Sequence, residues 1–522
     1  MSTTASAPAR QRSILLIASL VSSLVMLDTN VVAVALPSIA HSLSADFADM
    51  QWVVTAYMLP FAALLLAAGS YGDLHGRRRA AILGQAIFAA ASLLCGMATS
   101  ALMLNLARAL QGAGASLLLT AALAIINYSF QGTERAKAYA FWGACLGVAI
   151  TCGPIIGGLI SSLFGWHWAF LINLPICIVL ITATVKLIPE SRDPEARRLD
   201  YAGIATFSIG LFLLIWAVID GNALGWLSRA VLWRVAGGTA LLAAFVAVER
   251  MQARPMIDFG LFTSGNFVGS GCAMIGYAAG AQVMLFYLPL YLQNAYGFAA
   301  ATAGIAMLPF ALPMFLVPRL GARLASGWPA RSILCLGLGV SGLSNICMAM
   351  LATGGASYLP FALARAAAGA GAGLLNGETA KAMQGAVPAQ RAGMASGISG
   401  TARFCGLLFG VAGLGAVLVA VASSKFSLAA PQWGLNGSTA FSLTKRYAAG
   451  DVAGVVMSLP VEIHAAASGA LRNAFEAGFG AAAWTAAGVA IAALILTRLL
   501  MPNAETSRAR GLEGEVLAAP GE

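Results

Sequence analysis

Apolar runs long enough to cross a bilayer recur fourteen times along the 522 residues. They cover residues 14–36, 50–71, 80–99, 102–126, 138–161, 167–188, 201–220, 231–250, 266–295, 302–326, 331–353, 357–383, 391–420 and 475–500. A helix needs ~20 apolar residues to span the hydrocarbon, and in lipid only helices and closed barrels satisfy every backbone group. The runs are continuous rather than alternating, which excludes a barrel. With 59% of residues apolar, 10% charged and a mean hydropathy of +0.83, the chain has too little polar surface for water. A soluble enzyme, a disordered chain and a collagen-like chain are excluded, and the expected fold class is an all-α polytopic membrane protein. The first run is too long for a signal-peptide core and its Leu36-Pro37-Ser38 end is no cleavage site, so it reads as an uncleaved span.

An even number of spans puts both termini on one side. Placing them inside puts 21 of the 30 basic residues in inside segments, 6 in outside segments (Arg229, Arg234, Lys425, Lys445, Arg446, Arg472) and three, Arg108, Arg365 and Arg403, within spans. That asymmetry follows the positive-inside rule, and a miscount by one span would scramble it. The net charge of +10 is therefore topological, and nucleic acid is not an expected partner. The lipid bilayer is. The long segment 421–474 falls outside, as a flexible cap or a small helical hairpin, and Met501 to Glu522 reads as a disordered tail. All eight cysteines lie in apolar stretches without a CxxC pair, so they read as packing residues with no disulfide or metal role.

The segment Leu106–Ser116 matches Leu363–Gly373 at eight of eleven positions, including an arginine, at an offset of 257 residues. Both copies run from outside to inside, which implies parallel repeats of six spans each. The remaining two spans, 201–250, are then an insertion. The expected organisation is an inside tail 1–13, a six-helix bundle 14–188, an inserted pair with its linkers 189–264, a second six-helix bundle 265–500 containing the outside loop 421–474, and an inside tail 501–522.

Four patterns carry chemistry. Asp28 lies fourteen residues into the first span, ~21 Å from the inner edge, and Arg108 six residues into the fourth, ~9 Å from the outer one. In a core of ~30 Å these depths coincide. A lone charge there is expensive, so the two are expected to pair, either statically or as a proton-linked switch. The turn after the second span holds Gly69, Asp73, Gly76, Arg77 and Arg78. Charge topology explains its arginines but not the lone aspartate, which suits a gate contact made in one conformation. Gly153, Pro154, Gly157 and Gly158 in the fifth span suit a hinge or a close contact between halves. The ninth span offers Tyr277, Gln282, Met284, Phe286, Tyr287, Tyr291 and Gln293, as a ligand-cavity lining or as core. Arg403 and Glu378 are further candidates for that cavity, Glu378 also for the interface. There is no Walker sequence, metal cluster or nucleophile triad, and the four histidines lie at span edges or in loops, which argues against a membrane-embedded enzyme.

These residues resemble the major facilitator superfamily, in particular its fourteen-span drug:proton antiporters. The Gly69–Arg79 loop resembles the superfamily's cytoplasmic motif. Leu104–Ser116, with Arg108, Gln111, Gly112 and Gly114, resembles its fourth-span motif. Gly153-Pro154-x-x-Gly157-Gly158 resembles the motif of its antiporters, and Leu27–Pro37 the first span of the fourteen-span group. The resemblance implies a 6+2+6 helix arrangement and proton-driven export of lipophilic, often cationic, compounds across the cytoplasmic (inner) membrane, with no cofactor. Asp28 and Arg108 would be the proton-coupling pair. An exporter dedicated to one metabolite or antibiotic stays open beside a multidrug one, and a periplasmic adaptor and outer-membrane channel stay open as partners.

Overall fold

A computed structural model describes residues 7–192, 200–252, 257–324, 327–353, 357–387 and 392–502. Residues 1–6 of the first tail and 503–522 of the last fall outside these residues, as do Arg197, Arg198, Arg254 and Arg391 of the charge count, while 7–13 open the first helix. Among the described residues fourteen helices are long and apolar enough to cross a membrane, and there is no strand.

The first bundle comprises α1 (Ala7–Leu43), α2 (Phe47–His75), α3 (Arg77–Gly96), α4 (Ala101–Ser129), α5 (Gly132–Leu163), and α6 (Trp168–Leu171) continued by α7 (Asn173–Leu187). The inserted pair is α8 (Tyr201–Leu224) and α9 (Arg229–Met251). The second bundle comprises α10 (Gly265–Tyr277), α11 (Met284–Asn294), α12 (Ala300–Ala306), α13 (Leu308–Leu324), α14 (Ala330–Thr353), α15 (Tyr358–Gly385), α16 (Ala392–Ala429), α17 (Gly437–Ala449), α18 (Val452–Met457) and α19 (His464–Leu500). Short polar residues start many of them. Asp46 and Asp49 form a reciprocal capping box on α2, and Ser100, Asp200, Ser228 and Ser264 cap α4, α8, α9 and α10.

The internal repeat is a structural one. A methyl group on Gly112 would overlap the Tyr57 carbonyl, and one on Gly369 would overlap that of Phe310. Gly114 lies on Gly84 and Phe88 of α3, and Gly371 on Gly337 and Ser341 of α14. Within each bundle these glycines let helix backbones touch, which is how transmembrane helices gain packing energy without a hydrophobic driving force. The inserted pair rests through α8 on α2 and α16, with the Trp52 and Phe212 rings 5.8 Å apart and Asn222 donating to the Ala416 carbonyl at 2.6 Å.

The ninth, thirteenth and last spans differ most from a plain reading of apolar runs. The ninth is broken by a π-turn, Ala278–Gln282, whose freed Gly280 carbonyl accepts from Asn345 at 2.6 Å. Such bulges concentrate at functional sites. The thirteenth continues beyond residue 420 to Ala429, and the last starts before 475, at His464. Between them the segment forms a helical cap rather than a flexible one. Its polar helices find partners: Asn294 donates to the Tyr447 carbonyl at 3.0 Å, and the Tyr447 hydroxyl donates back to the Asn294 carbonyl at 3.0 Å. Burial pushes the Tyr447 phenol up, keeping it a donor.

The bundles meet along one seam. Gln51 donates to the Val411 carbonyl at 2.8 Å, Thr151 to that of Ala311 at 3.4 Å, and Gln293 to that of Val34 at 3.2 Å. Phe61 and Phe404 meet edge to face at 4.3 Å. The cap adds an ion pair from Lys445 to Asp46 and a contact from His41 to Asp451 at 2.7 Å. These contacts lie at mid-depth or toward the cap end, so the bundles are clasped at that end.

Candidate functional site

Asp28 and Arg108 are 1% exposed each and bonded to one another, Arg108 Nη1 donating to Asp28 Oδ2 at 2.6 Å. Five helices build the site. Asp28 Oδ1 accepts from Gln111 of α4 at 2.9 Å and from Asn173 of α7 at 2.7 Å. Ser92 of α3 accepts from Gln111 and Asn173 at 2.9 and 3.3 Å. Arg108 also donates to the Val53 carbonyl of α2 at 3.1 Å and to Gln111 Oε1 at 2.6 Å. Its guanidinium carbon lies 4.1 Å from the centroid of the Tyr57 ring. The carboxylate thus receives three donors on its two oxygens, which is what a charge in lipid requires. Depth alone indicated the pair. Asn173 and Ser92 carried no sequence signal, because neutral polar residues are common at span edges and inside bundles.

The glycine-arginine turn lies at the opposite end from the cap. Asp73 accepts from Arg77 Nε and Nη2 at 3.1 and 3.0 Å, and Arg77 lies over the Tyr128 ring of α4. The residue that clamps the turn is one the sequence did not single out. Glu190 Oε1 accepts from the Arg78 backbone at 3.0 Å, and its carboxylate lies 3.7 and 3.8 Å from Arg78 and Arg79. Gly76, at φ +111°, makes the turn, and a side chain there would strike Glu190. Gly69 has open space beside it. Asp73 is half exposed and its ion pair is worth about 0.2–1 kcal/mol. Asp73→Asn is therefore expected to leave the melting temperature within about 3 °C of wild type while slowing transport several-fold. Thermal unfolding and initial-rate efflux check this, and wild-type turnover would end the gate reading.

The Gly-Pro motif of α5 sits on two surfaces. Gly153 and Gly157 face Asn30 and Val31 of α1, inside the first bundle. Gly158 faces the Ala300 carbonyl of α12, while the Pro154 carbonyl faces Gly304. The motif therefore holds the two bundles backbone to backbone toward the cap end, with α5 an unbroken helix through Pro154.

The ninth-span aromatics are packed in this conformation. Tyr277, Gln282, Met284, Phe286, Tyr287 and Tyr291 are all buried. Tyr277 donates to Asn376 at 3.0 Å, Tyr287 to the Val411 carbonyl, and Tyr291 stacks on Phe479 at 4.2 Å. Gln282 accepts from Arg403 Nε at 2.9 Å, giving Arg403 a partner that charge-matching did not find. Glu378 pairs with Lys381 at 2.6 Å, near the non-cap end of α15.

Two six-helix bundles related by a parallel repeat, joined toward one end and with a buried charge network inside the first, define a multi-pass membrane transporter. The chain belongs to the Major Facilitator Superfamily, whose family model matches residues 18–411. It is 34% identical over 410 residues to the multidrug resistance protein Stp of Mycobacterium tuberculosis, covering 76% of this chain and 74% of that protein. It is 31% identical over 475 residues to the multidrug efflux pump LfrA of Mycolicibacterium smegmatis, covering 90% and 92%. Among solved structures, an inward-facing bacterial homologue of the human lysosomal transporter Spinster superposes with a TM-score of 0.63 at 16% identity, covering 93% of this chain and 96% of that one. That likeness is one of fold.

Proposed function

We propose that this chain is a proton-coupled exporter of lipophilic drugs or toxic compounds, working by alternating access in the cytoplasmic membrane. Both termini and the 69–79 turn are then cytoplasmic and the cap outside, so the clasped end is the outer one and the conformation faces inward. The single observation that carries the reading is the sealed Asp28–Arg108 network beside a seam whose contacts, among the described residues, lie at mid-depth and toward the cap. Protonating Asp28 would remove the charge that Arg108 pairs with and strand a buried guanidinium. Proton binding and rearrangement of the five helices are thereby coupled, which is what an antiporter requires. The kinship to multidrug efflux proteins supports drugs as cargo, and the absence of a Walker sequence supports the proton gradient as the energy source. An exporter dedicated to one compound shares all of this geometry and differs only in substrate breadth.

The test is the purified chain in proteoliposomes, with an imposed pH difference and a panel of lipophilic compounds. Uphill movement that collapses with a protonophore is expected; movement indifferent to the pH difference would overturn the coupling. Topology has its own check. In a cysteine-less background, Ser438→Cys in the cap is expected to react with an impermeant maleimide on intact cells, and Thr263→Cys only after permeabilisation. The reverse pattern would invert the assignment.

A further inference from the structure

The second repeat carries the same arginine as the first, at Arg365, but no carboxylate among the described residues meets it. Arg365 is 0% exposed, and none of its three guanidinium nitrogens makes a hydrogen bond of good geometry; its polar neighbour is the neutral Tyr358 hydroxyl, which donates to the Ala306 carbonyl at 3.2 Å. Its neighbours are rings, with Tyr358 and Phe361 centroids 5.2 and 5.4 Å away. Residues 265–500 contain four acidic side chains: Glu378, Asp451, Glu462 and Glu476. Glu378 is taken by Lys381 at 2.6 Å, Asp451 by Arg446 at 2.6 Å, and Glu476 by Arg472 at 3.4 Å. Glu462 sits in the exposed turn Val461–Ile463.

Arg403 is the second membrane-embedded cation of this bundle without an acid. Its bond is to the neutral Gln282, and it lies over the Tyr277 ring at 5.5 Å. Tyr277 in turn donates to Asn376. Asn376 is eleven residues along α15 from Arg365, which is close to three whole turns and ~16 Å on the same face. The two guanidinium groups therefore mark two levels along one helix face. In the first bundle, by contrast, Asp28 neutralises Arg108 and is closed to any cation. Among the described residues, the membrane-embedded interior carries two positive charges without an acidic partner.

We propose that the cargo of this transporter is an amphipathic organic anion, its acidic group received by Arg365 and Arg403 in turn and its flat apolar body by the surrounding rings. This rests on the export reading above and names its substrate class. An uncompensated cation in lipid is expensive. A planar guanidinium matches a carboxylate or sulfonate with two parallel hydrogen bonds, whereas a cationic compound meets only repulsion there. Aromatic side chains supply stacking for a flat body.

The test uses two permanently charged probes of one size, 2-naphthalenesulfonate and (2-naphthylmethyl)trimethylammonium, on the full-length chain in nanodiscs. Affinity is read by tryptophan quenching and by the ligand-dependent rise in melting temperature. The sulfonate is expected to bind at least tenfold more tightly than the ammonium. Arg365→Met and Arg403→Gln are each expected to weaken the sulfonate at least tenfold, and Arg365→Lys to restore part of the loss. Loss of an unpartnered charge does not threaten the fold. Should Arg365→Met still fail to insert, Arg365→Lys and Arg403→Gln carry the test. Tighter binding of the ammonium, no binding of the sulfonate, or sulfonate binding unchanged in the arginine variants each overturns the proposal. Arginine-dependent binding supports it even where a pH gradient moves neither probe in proteoliposomes, a result that would overturn the proton-coupled export reading alone.

Discussion

Asp28→Asn is expected to abolish export driven by a pH difference and to destabilise the protein by about 3–5 kcal/mol. The reason lies in the donors around the carboxylate. Arg108, Gln111 and Asn173 all donate to it, and an amide offers one acceptor oxygen and an NH2 that faces donors. Arg108 would then be a buried cation with only the Val53 carbonyl and Gln111 as partners. Loss of transport in this variant alone is therefore ambiguous, because a misfolded protein also fails to transport. The double variant Asp28→Asn/Arg108→Gln separates the two explanations. It removes both charges, so stability should return most of the way, as it does when a buried pair is removed together. Proton-driven export should not return, because no carboxylate remains in the network. Thermal unfolding gives the stability and proteoliposome efflux the coupling. A double variant that still concentrates a compound using the pH difference would place the proton site elsewhere.

Much of this architecture is legible in the residues because the bilayer imposes a strong constraint. Fourteen runs give fourteen helices, and the matched segments around Arg108 and Arg365 do occupy equivalent places in two bundles. The Asp28–Arg108 pair is legible for the same reason, since a charge in lipid needs a partner at its own depth. What escapes is whatever depends on neutral groups or on backbone contacts. Asn173 and Ser92 complete the network yet look like ordinary polar residues. Glu190 clamps the turn that Asp73 was expected to govern, since it comes from a chain segment more than a hundred residues away. The π-turn at Ala278–Gln282 leaves no mark in composition. The cap is helical because its partners, Asn294, Asp46 and His41, lie in distant segments. Tyr287 and Tyr291 illustrate a limit of pattern reading, since an aromatic stripe looks the same whether it lines a cavity or fills a core.

Gly158→Val is expected to hold the transporter away from the conformation described above and to reduce export at least tenfold. Any side chain at 158 would overlap the Ala300 carbonyl across the seam, and backbone on a packed helix has little room to retreat. Overpacking of this kind costs about 1–3 kcal/mol or more. Here the cost falls only on the state in which the bundles touch, so it shifts the population toward the state in which that end is open. A bias of ~3 kcal/mol is more than a hundredfold in the equilibrium. Gly304→Val presses on the Pro154 carbonyl from the other side of the same contact and should give the same phenotype. The two together should cost less than the sum, since either one already parts the seam. Gly143→Val is the control. It lies on the same helix with nothing near its missing side chain, so it tests helix propensity alone. Spin labels at Ser162 and Thr302, both exposed, report the separation of α5 and α12 by pulsed electron resonance. The distance should lengthen in Gly158→Val and Gly304→Val and stay unchanged in Gly143→Val. If Gly158→Val shows the wild-type distance and turnover, the α5–α12 seam is ordinary packing rather than the contact that closes one end of the transporter.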